Sequence, residues 1–245
     1  MDIQVLYEDE SIVVVDKPSG VVVNRAETVV GETLQDWMVE RYQERFEVGE
    51  VLNENEQYFV ERAGMVHRLD KETSGVMVFA KNANAFTWLL TQFRERKVVK
   101  EYLALTHGIW QAKTGEIDMP IGRRRDDRKK MGVREDGRES VTEYEVINEV
   151  KTYEFLKELK VDVSGYQGFS WVRFIPKTGR THQIRVHARA VGHPLVGDVQ
   201  YAGRKRSRED RKWFPRVALQ AQKISFIHPV TGVWVSFESR CKFAV

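Results

Sequence analysis

The chain has 245 residues, 42% of them apolar, a formal net charge of +3 at pH 7 and a single cysteine, Cys241. One thiol excludes an internal disulfide framework and any multi-cysteine zinc site. The acidic opening MDIQVLYEDE is no signal peptide, and no stretch approaches the ~18 unbroken apolar residues of a membrane helix. The expectation is a cytoplasmic protein with no membrane partner, long enough to bury a core unaided.

In chain order, Val5 to Tyr7 and Ile12 to Val15 read as short strands divided by the turn-prone Glu-Asp-Glu-Ser. Lys17-Pro18-Ser19-Gly20 is a turn, because proline presets φ and glycine permits reversal. Leu34, Trp37, Met38 and Tyr42 form one stripe of a helix. Val76 to Ala80 is a strand, followed by a second helix striped by Phe86, Leu89, Leu90 and Phe93. Val98 to Leu105, Val141 to Val150, Tyr153 to Val161 and Trp171 to Ile175 are strands. A third helix begins near Thr181, and Val217 to Ile227 and Val233 to Phe237 return to strand. Strands outnumber helices without βαβ alternation, which predicts an α+β fold on a largely antiparallel or mixed sheet. No stretch is long enough to link independent domains, so residues 1–245 are expected to form one domain.

Charge is segregated along the chain. Residues 122 to 138 (GRRRDDRKKMGVREDGR) hold eight bases against four acids, and residues 203 to 216 (GRKRSREDRKWFPR) hold seven against two. Residues 171 to 197 carry Arg173, Lys177, Arg180, Arg185 and Arg189 with no acid, whereas Glu40 to Arg62 is acidic. Such separation predicts a basic face for a polyanion.

Three segments carry candidate chemistry. His67-Arg68-Leu69-Asp70-Lys71-Glu72-Thr73-Ser74-Gly75 places a carboxylate between two cations just before a strand. Those cations favour the ionised form of Asp70; the competing reading is a turn aspartate. In Gly179-Arg180-Thr181-His182-Gln183-Ile184-Arg185-Val186-His187, Thr181 is expected to cap the helix. Ile184, Ala188 and Val191 would then face the core, and His182, Arg185 and Arg189 would share a polar face. Arginine there suits a carboxylate or a phosphate; the competing reading is a solvated helix face. In Lys100-Glu101-Tyr102-Leu103-Ala104-Leu105, Tyr102 shares a strand face with Ala104, which leaves room for a base to stack; the competing reading is a core tyrosine.

Together these strings resemble the RluA-type pseudouridine synthases. HRLDKETSG is similar to that family's catalytic-aspartate motif, KEYLAL to its tyrosine strand and TGRTHQIRVH to its arginine motif. VVVDKPSGVVV, GHPLVGDVQY and ALQAQKISFIHPVTG follow in the family's order, so the resemblance runs from about Leu6 to Phe237. It implies the pseudouridine synthase fold, with a central RNA-binding cleft, and uridine-to-pseudouridine isomerisation without metal, nucleotide or redox cofactor. It implies Asp70 as the catalytic carboxylate and Arg185 as its partner. Tyr102 would pack on the target base, and Arg68 would hold the flipped nucleotide. The pattern begins almost at Met1, so an N-terminal S4 domain is expected to be absent. The expected partner is a structured stem-loop of ribosomal or transfer RNA, bound by a monomer through Arg68, Lys71, Arg180, His182, Arg189, Arg123, Arg124 and Lys129. One rival reading is a non-catalytic RNA-binding or ribosome-assembly protein that kept the fold. Another is a metal-dependent nuclease, which would need clustered carboxylates where Asp70 has only Glu72 nearby.

Overall fold

The computed structural model describes residues 1–27, 29–46, 53–150, 161–162 and 165–241. The expected strand from Tyr153 lies outside them, apart from Val161. The chain packs as two compact units, the first formed by Met1–Lys100 with the described residues from Ala221 onward, the second by Glu101–Gln220. The class is α+β, and every strand pair whose register is defined is antiparallel.

In the first unit β1 (Gln4–Glu8) pairs with β2 (Ile12–Lys17), and β2 with β3 (Ser74–Ala80). The turn between β1 and β2 is built by Asp9, whose Oδ1 accepts the N–H of Ser11 at 2.7 Å and of Ile12 at 2.9 Å. Burial alone would raise the Asp9 pKa, but these bonds outweigh it and bring it down to about 2. Every residue of β2 and β3 is buried, as expected of strands covered on both faces rather than one. β3 neighbours β10 (Leu219–Ile227), which pairs with β11 (Trp234–Glu238).

Among the described residues, four helices complete this unit. α1 (Leu34–Arg41) starts at a Thr33–Asp36 capping box and buries Leu34, Trp37 and Met38, the anticipated stripe. α2 (Gln43–Phe46) and α3 (Glu54–Glu61) lie in the acidic stretch, and α3 is capped reciprocally by Asn53 and Glu56. α4 (Ala83–Arg94) is capped by Asn82, buries Phe86 and Leu89, and lies against β3 and α3. Each of those two buried side chains contributes about 1.5–3 kcal/mol. Phe59 stacks on Phe46 and meets Phe86 edge-on, which ties the acidic helices to the core.

The second unit contains β4 (Val99–His107) from Glu101 onward, paired with β9 (Phe169–Pro176). β9 pairs with β8 (Val141–Val150), and β8 with β5 (Thr114–Asp118). Alternation divides the buried residues between two faces. Ala104, Val172 and Phe174 join Trp110, Ile117 and Leu195 in one cluster, whereas Leu105 and Phe169 join Tyr166, Val196 and Phe214 in another. α5 (Gln183–Ala190) inserts Ile184 and Ala188 into the first cluster, with Val191 beside them, as the sequence spacing predicted. β6 (Ile121–Arg123) and β7 (Met131–Val133) form a separate hairpin around the first basic run. The last basic run contains α6 (Arg204–Asp210).

Gly75 has φ +115°, and a Cβ there would lie 2.1 Å from the carbonyl oxygen of Ala221. Gly75→Ala is therefore expected to destabilise the protein by about 2–4 kcal/mol, measured as a lower urea midpoint at unchanged slope.

Candidate active site

The Asp70 loop is held from one neighbouring turn. Lys17, at the end of β2, is fully buried. Its ammonium donates to the carbonyls of Pro18 at 2.9 Å, Val21 at 2.9 Å and Lys71 at 3.1 Å. A buried ammonium is costly unless its donors find acceptors, and here three carbonyls take them. The Lys71 carbonyl also accepts the Gly20 N–H at 2.8 Å, and the Glu72 carbonyl accepts the Ser19 hydroxyl at 2.7 Å. Asp70 closes its own turn by accepting the Thr73 N–H at 3.1 Å through its carbonyl. Its carboxylate is half-buried, and Arg68 and Lys71 on either side are exposed. The turn reading of Asp70 and the functional reading therefore coexist, because the turn uses its backbone.

His67, three residues before Asp70, is a fixed neutral ring. Its Nε2 accepts the Val78 N–H at 3.1 Å, and its face stacks on Phe93 with centroids 4.9 Å apart. Desolvation, reinforced by the charge of Lys100, pushes its pKa down to about 3. Burial also brings the Lys100 ammonium down to about 8.

In the second unit Arg185 is turned inward, so the competing reading of a solvated helix face does not hold for it, whereas the reading of an arginine suited to a carboxylate does. It is 6% exposed and meets the fully buried Asp198 in a two-bond fork, Nε to Oδ2 at 2.7 Å and Nη2 to Oδ1 at 2.9 Å. Nη2 also donates to Gln200 Oε1 at 2.9 Å, and the guanidinium lies 5.0 Å from the Tyr201 ring centre. Asp198 Oδ1 further accepts the N–H groups of Gln200 and Tyr201. This arrangement fixes the guanidinium plane, because both partners and the ring beneath it are set by one turn.

The Thr181 cap is also corrected. The N-cap is His182, in the left-handed region at φ 57°, without a side-chain cap bond. The preceding turn is closed by Gln183 instead. Its Oε1 accepts the Arg180 N–H at 3.0 Å and the Thr178 hydroxyl at 2.7 Å. Gln183, the first residue of the helix, thus ties the turn from Thr178 to Arg180 through its side chain, without forming a capping box.

Tyr201 joins this helix to the basic hairpin. Its hydroxyl accepts the Met131 N–H at 3.1 Å and lies 2.8 Å from His182 Nδ1. Ile121, Val186 and Tyr201 pack together with Met131 beside them. Among the predicted RNA-contact residues of this unit, Arg123, Arg124, Lys129 and Arg189 are exposed, and Arg180 and His182 are half-buried. Arg124 pairs with Asp126, and Arg180 donates to the Glu139 carbonyl. Arg123, Arg125, Arg128 and Arg134 line one concavity of the hairpin. Tyr102 is half-buried against the cluster that holds Ala104.

Sequence reasoning missed Lys17, Asp198 and Tyr201 as site residues. Their signals were present in DKPSG and GDVQY, strings matched without roles. Among the described residues, no group of three or more His, Cys, Asp or Glu side chains could hold a metal, and no helix is long and apolar enough to cross a membrane.

A family model described as RNA pseudouridylate synthase matches residues 11–190. An uncharacterized RNA pseudouridine synthase of Aquifex aeolicus is 40% identical over 240 residues, covering 96% of this chain and 68% of that one. The ribosomal large subunit pseudouridine synthase D of Pseudomonas aeruginosa is 37% identical, covering 98% and 68%. Among solved structures, human RNA pseudouridylate synthase domain containing 1 aligns with TM-score 0.72 and 28% identity, over 99% of this chain and 85% of its own.

Two outcomes follow from the site geometry. Asp198→Ala leaves the Arg185 charge buried without its carboxylate and should cost about 3–5 kcal/mol in a denaturant titration. His67 has a folded pKa near 3 against 6.5 for the free ring. Its stabilising share is therefore complete above pH 6.5 and is lost as pH falls toward 3. In His67→Gln the acid-side slope of stability against pH should be shallower across that window.

Proposed function

The chain belongs to the RNA pseudouridylate synthase family, of the RluA type, and is an isomerase acting on RNA; from that premise we propose that Asp70 is its catalytic carboxylate. The reaction breaks the N1–C1′ bond of a uridine, turns the base and joins C5 to C1′. An ionised carboxylate can begin it in two ways: by attacking C1′ to give a covalent sugar intermediate, or by taking the C2′ proton to give a glycal. Both require a carboxylate that is charged, reachable and immobile.

The observation that carries this reading is the clamp on the Asp70 loop. The residues that follow the half-buried carboxylate are tied down by Lys17, Ser19 and Gly20, while exposed Arg68 and Lys71 flank it. A misplacement of about 1 Å can cost 10²-fold in rate, so an over-determined loop is what such a carboxylate needs. In the same reading Arg185 is the arginine that serves the carboxylate. Tyr102 packs on the base and assists removal of the C5 proton.

We further propose a ribosomal or transfer RNA substrate, with the target uridine in a stem-loop and flipped out of its stack. The name of the Pseudomonas relative favours the large ribosomal subunit. Arg68 and Lys71, with Arg180, His182, Arg189, Arg123, Arg124 and Lys129, would bind the phosphates and the displaced nucleotide. Residues 1–245 would act as one catalytic domain, as a monomer in the cytoplasm, without a cofactor.

The test is tritium release from RNA labelled at uridine C5. Asp70→Asn should lower release at least 10³-fold, while RNA affinity stays within about threefold. Substantial turnover by this variant would remove Asp70 from its role.

A further inference from the structure

Asp16 is a carboxylate that the reaction scheme leaves without a task. It is 2% exposed and immediately precedes Lys17 in β2. A buried carboxylate must find donors, and Asp16 finds them in the segment after β11. The Ser239 hydroxyl lies 2.9 Å from Oδ1 and 2.8 Å from Oδ2, and the N–H groups of Arg240 and Cys241 reach Oδ2 at 2.8 and 3.1 Å. Two consecutive backbone N–H groups and a hydroxyl thus surround one carboxylate.

The position of Asp16 gives this contact its consequence. In the β2–β3 register Asp16 faces Val76 and Lys17 faces Gly75. Successive side chains on a strand point to opposite faces. One face of the β2 end is therefore held by residues 239–241 through Asp16, and the next side chain, Lys17, holds the carbonyl of Lys71 beside Asp70. Any play in β2 at Asp16 is transmitted to the Lys17 ammonium and so to the loop.

We propose that Asp16 and Ser239 form a strap that positions the Asp70 loop, so that a segment more than 160 residues away in sequence sets the placement of the catalytic carboxylate. The strap rests on the reading of Asp70 given above. Both residues act through Lys17 and the loop and are positioning residues. Ser239→Ala removes one donor and leaves both backbone donors in place; Asp16→Asn keeps the shape and loses the charge.

The experiment measures tritium release at 25 °C on protein shown to be folded by circular dichroism, together with amide exchange of Thr73, whose N–H bonds the Asp70 carbonyl. Ser239→Ala should lower kcat about three- to tenfold with KM for RNA within twofold, and Ser239→Thr should restore it. Asp16→Asn should lower kcat by tenfold or more. In both variants Thr73 should exchange at least fivefold faster than in the parent, while amides of β8 are unchanged. A kcat within twofold of the parent in folded Ser239→Ala, or Thr73 exchange that does not change, overturns the proposal even if the melting temperature falls. If Asp16→Asn does not fold, the serine pair decides. The exchange measurement holds whether or not Asp70→Asn is inactive, so failure of the strap and failure of the Asp70 assignment are told apart.

Discussion

A lysine ammonium sealed away from water controls the geometry of the first unit. The Lys17 ammonium donates to the backbone carbonyls of Pro18, Val21 and Lys71. Carbonyl dipoles neutralise a charge only when they converge on it, so the ammonium fixes three segments of backbone at once. The turn after β2 and the loop before β3 cannot move independently without stranding a cation. The loop around Asp70 is thus tied to a buried cation by hydrogen bonds, and apolar packing in β2 and β3 holds the frame on which they act.

The second unit uses the same logic with a different ion. Arg185 turned inward to Asp198 is an ion pair with little water around it, and its partner is fixed by the N–H groups of the turn that follows. Such pairs rarely add net stability over apolar residues of equal volume. Their value is a defined orientation of the charged group. Gly197 allows that turn: its φ is +73°, and its N–H bonds the buried Asp210. Asp210 is also held by His107 and Tyr166.

Much of this was legible in the chain itself. The stripes of α1 and α4 and the core face of α5 follow from apolar spacing, and β8 has the bounds its pattern gives. The short strands β5, β6 and β7 were not legible, because Thr114–Asp118 is mostly polar and Met131–Val133 is only three residues. The fate of Arg185 was not legible either. Helical spacing assigns a residue to a face but not to a partner, and Asp198 lies outside the helix that spacing describes. Thr181 failed as a cap for a similar reason, since Gln183 competes for the same turn through a side chain that a cap rule does not weigh. The single-letter strings DKPSG and GDVQY marked the right places, but the bonds that give them meaning exist only after folding.

The most basic segment is partly a helix, α6, and that alters what its charge can recognise. Arg204 and Arg208 both stand exposed, one helical turn apart, hence separated by about 5–6 Å along the surface. A limp arginine tail would accept any polyanion and lose entropy on every contact. A helical turn instead fixes the backbone spacing from which the two arginines reach out, and the last residue of the helix, Asp210, is buried. The backbone share of the ordering cost is settled during folding, and only the two arginine side chains remain to be ordered when an anion is met.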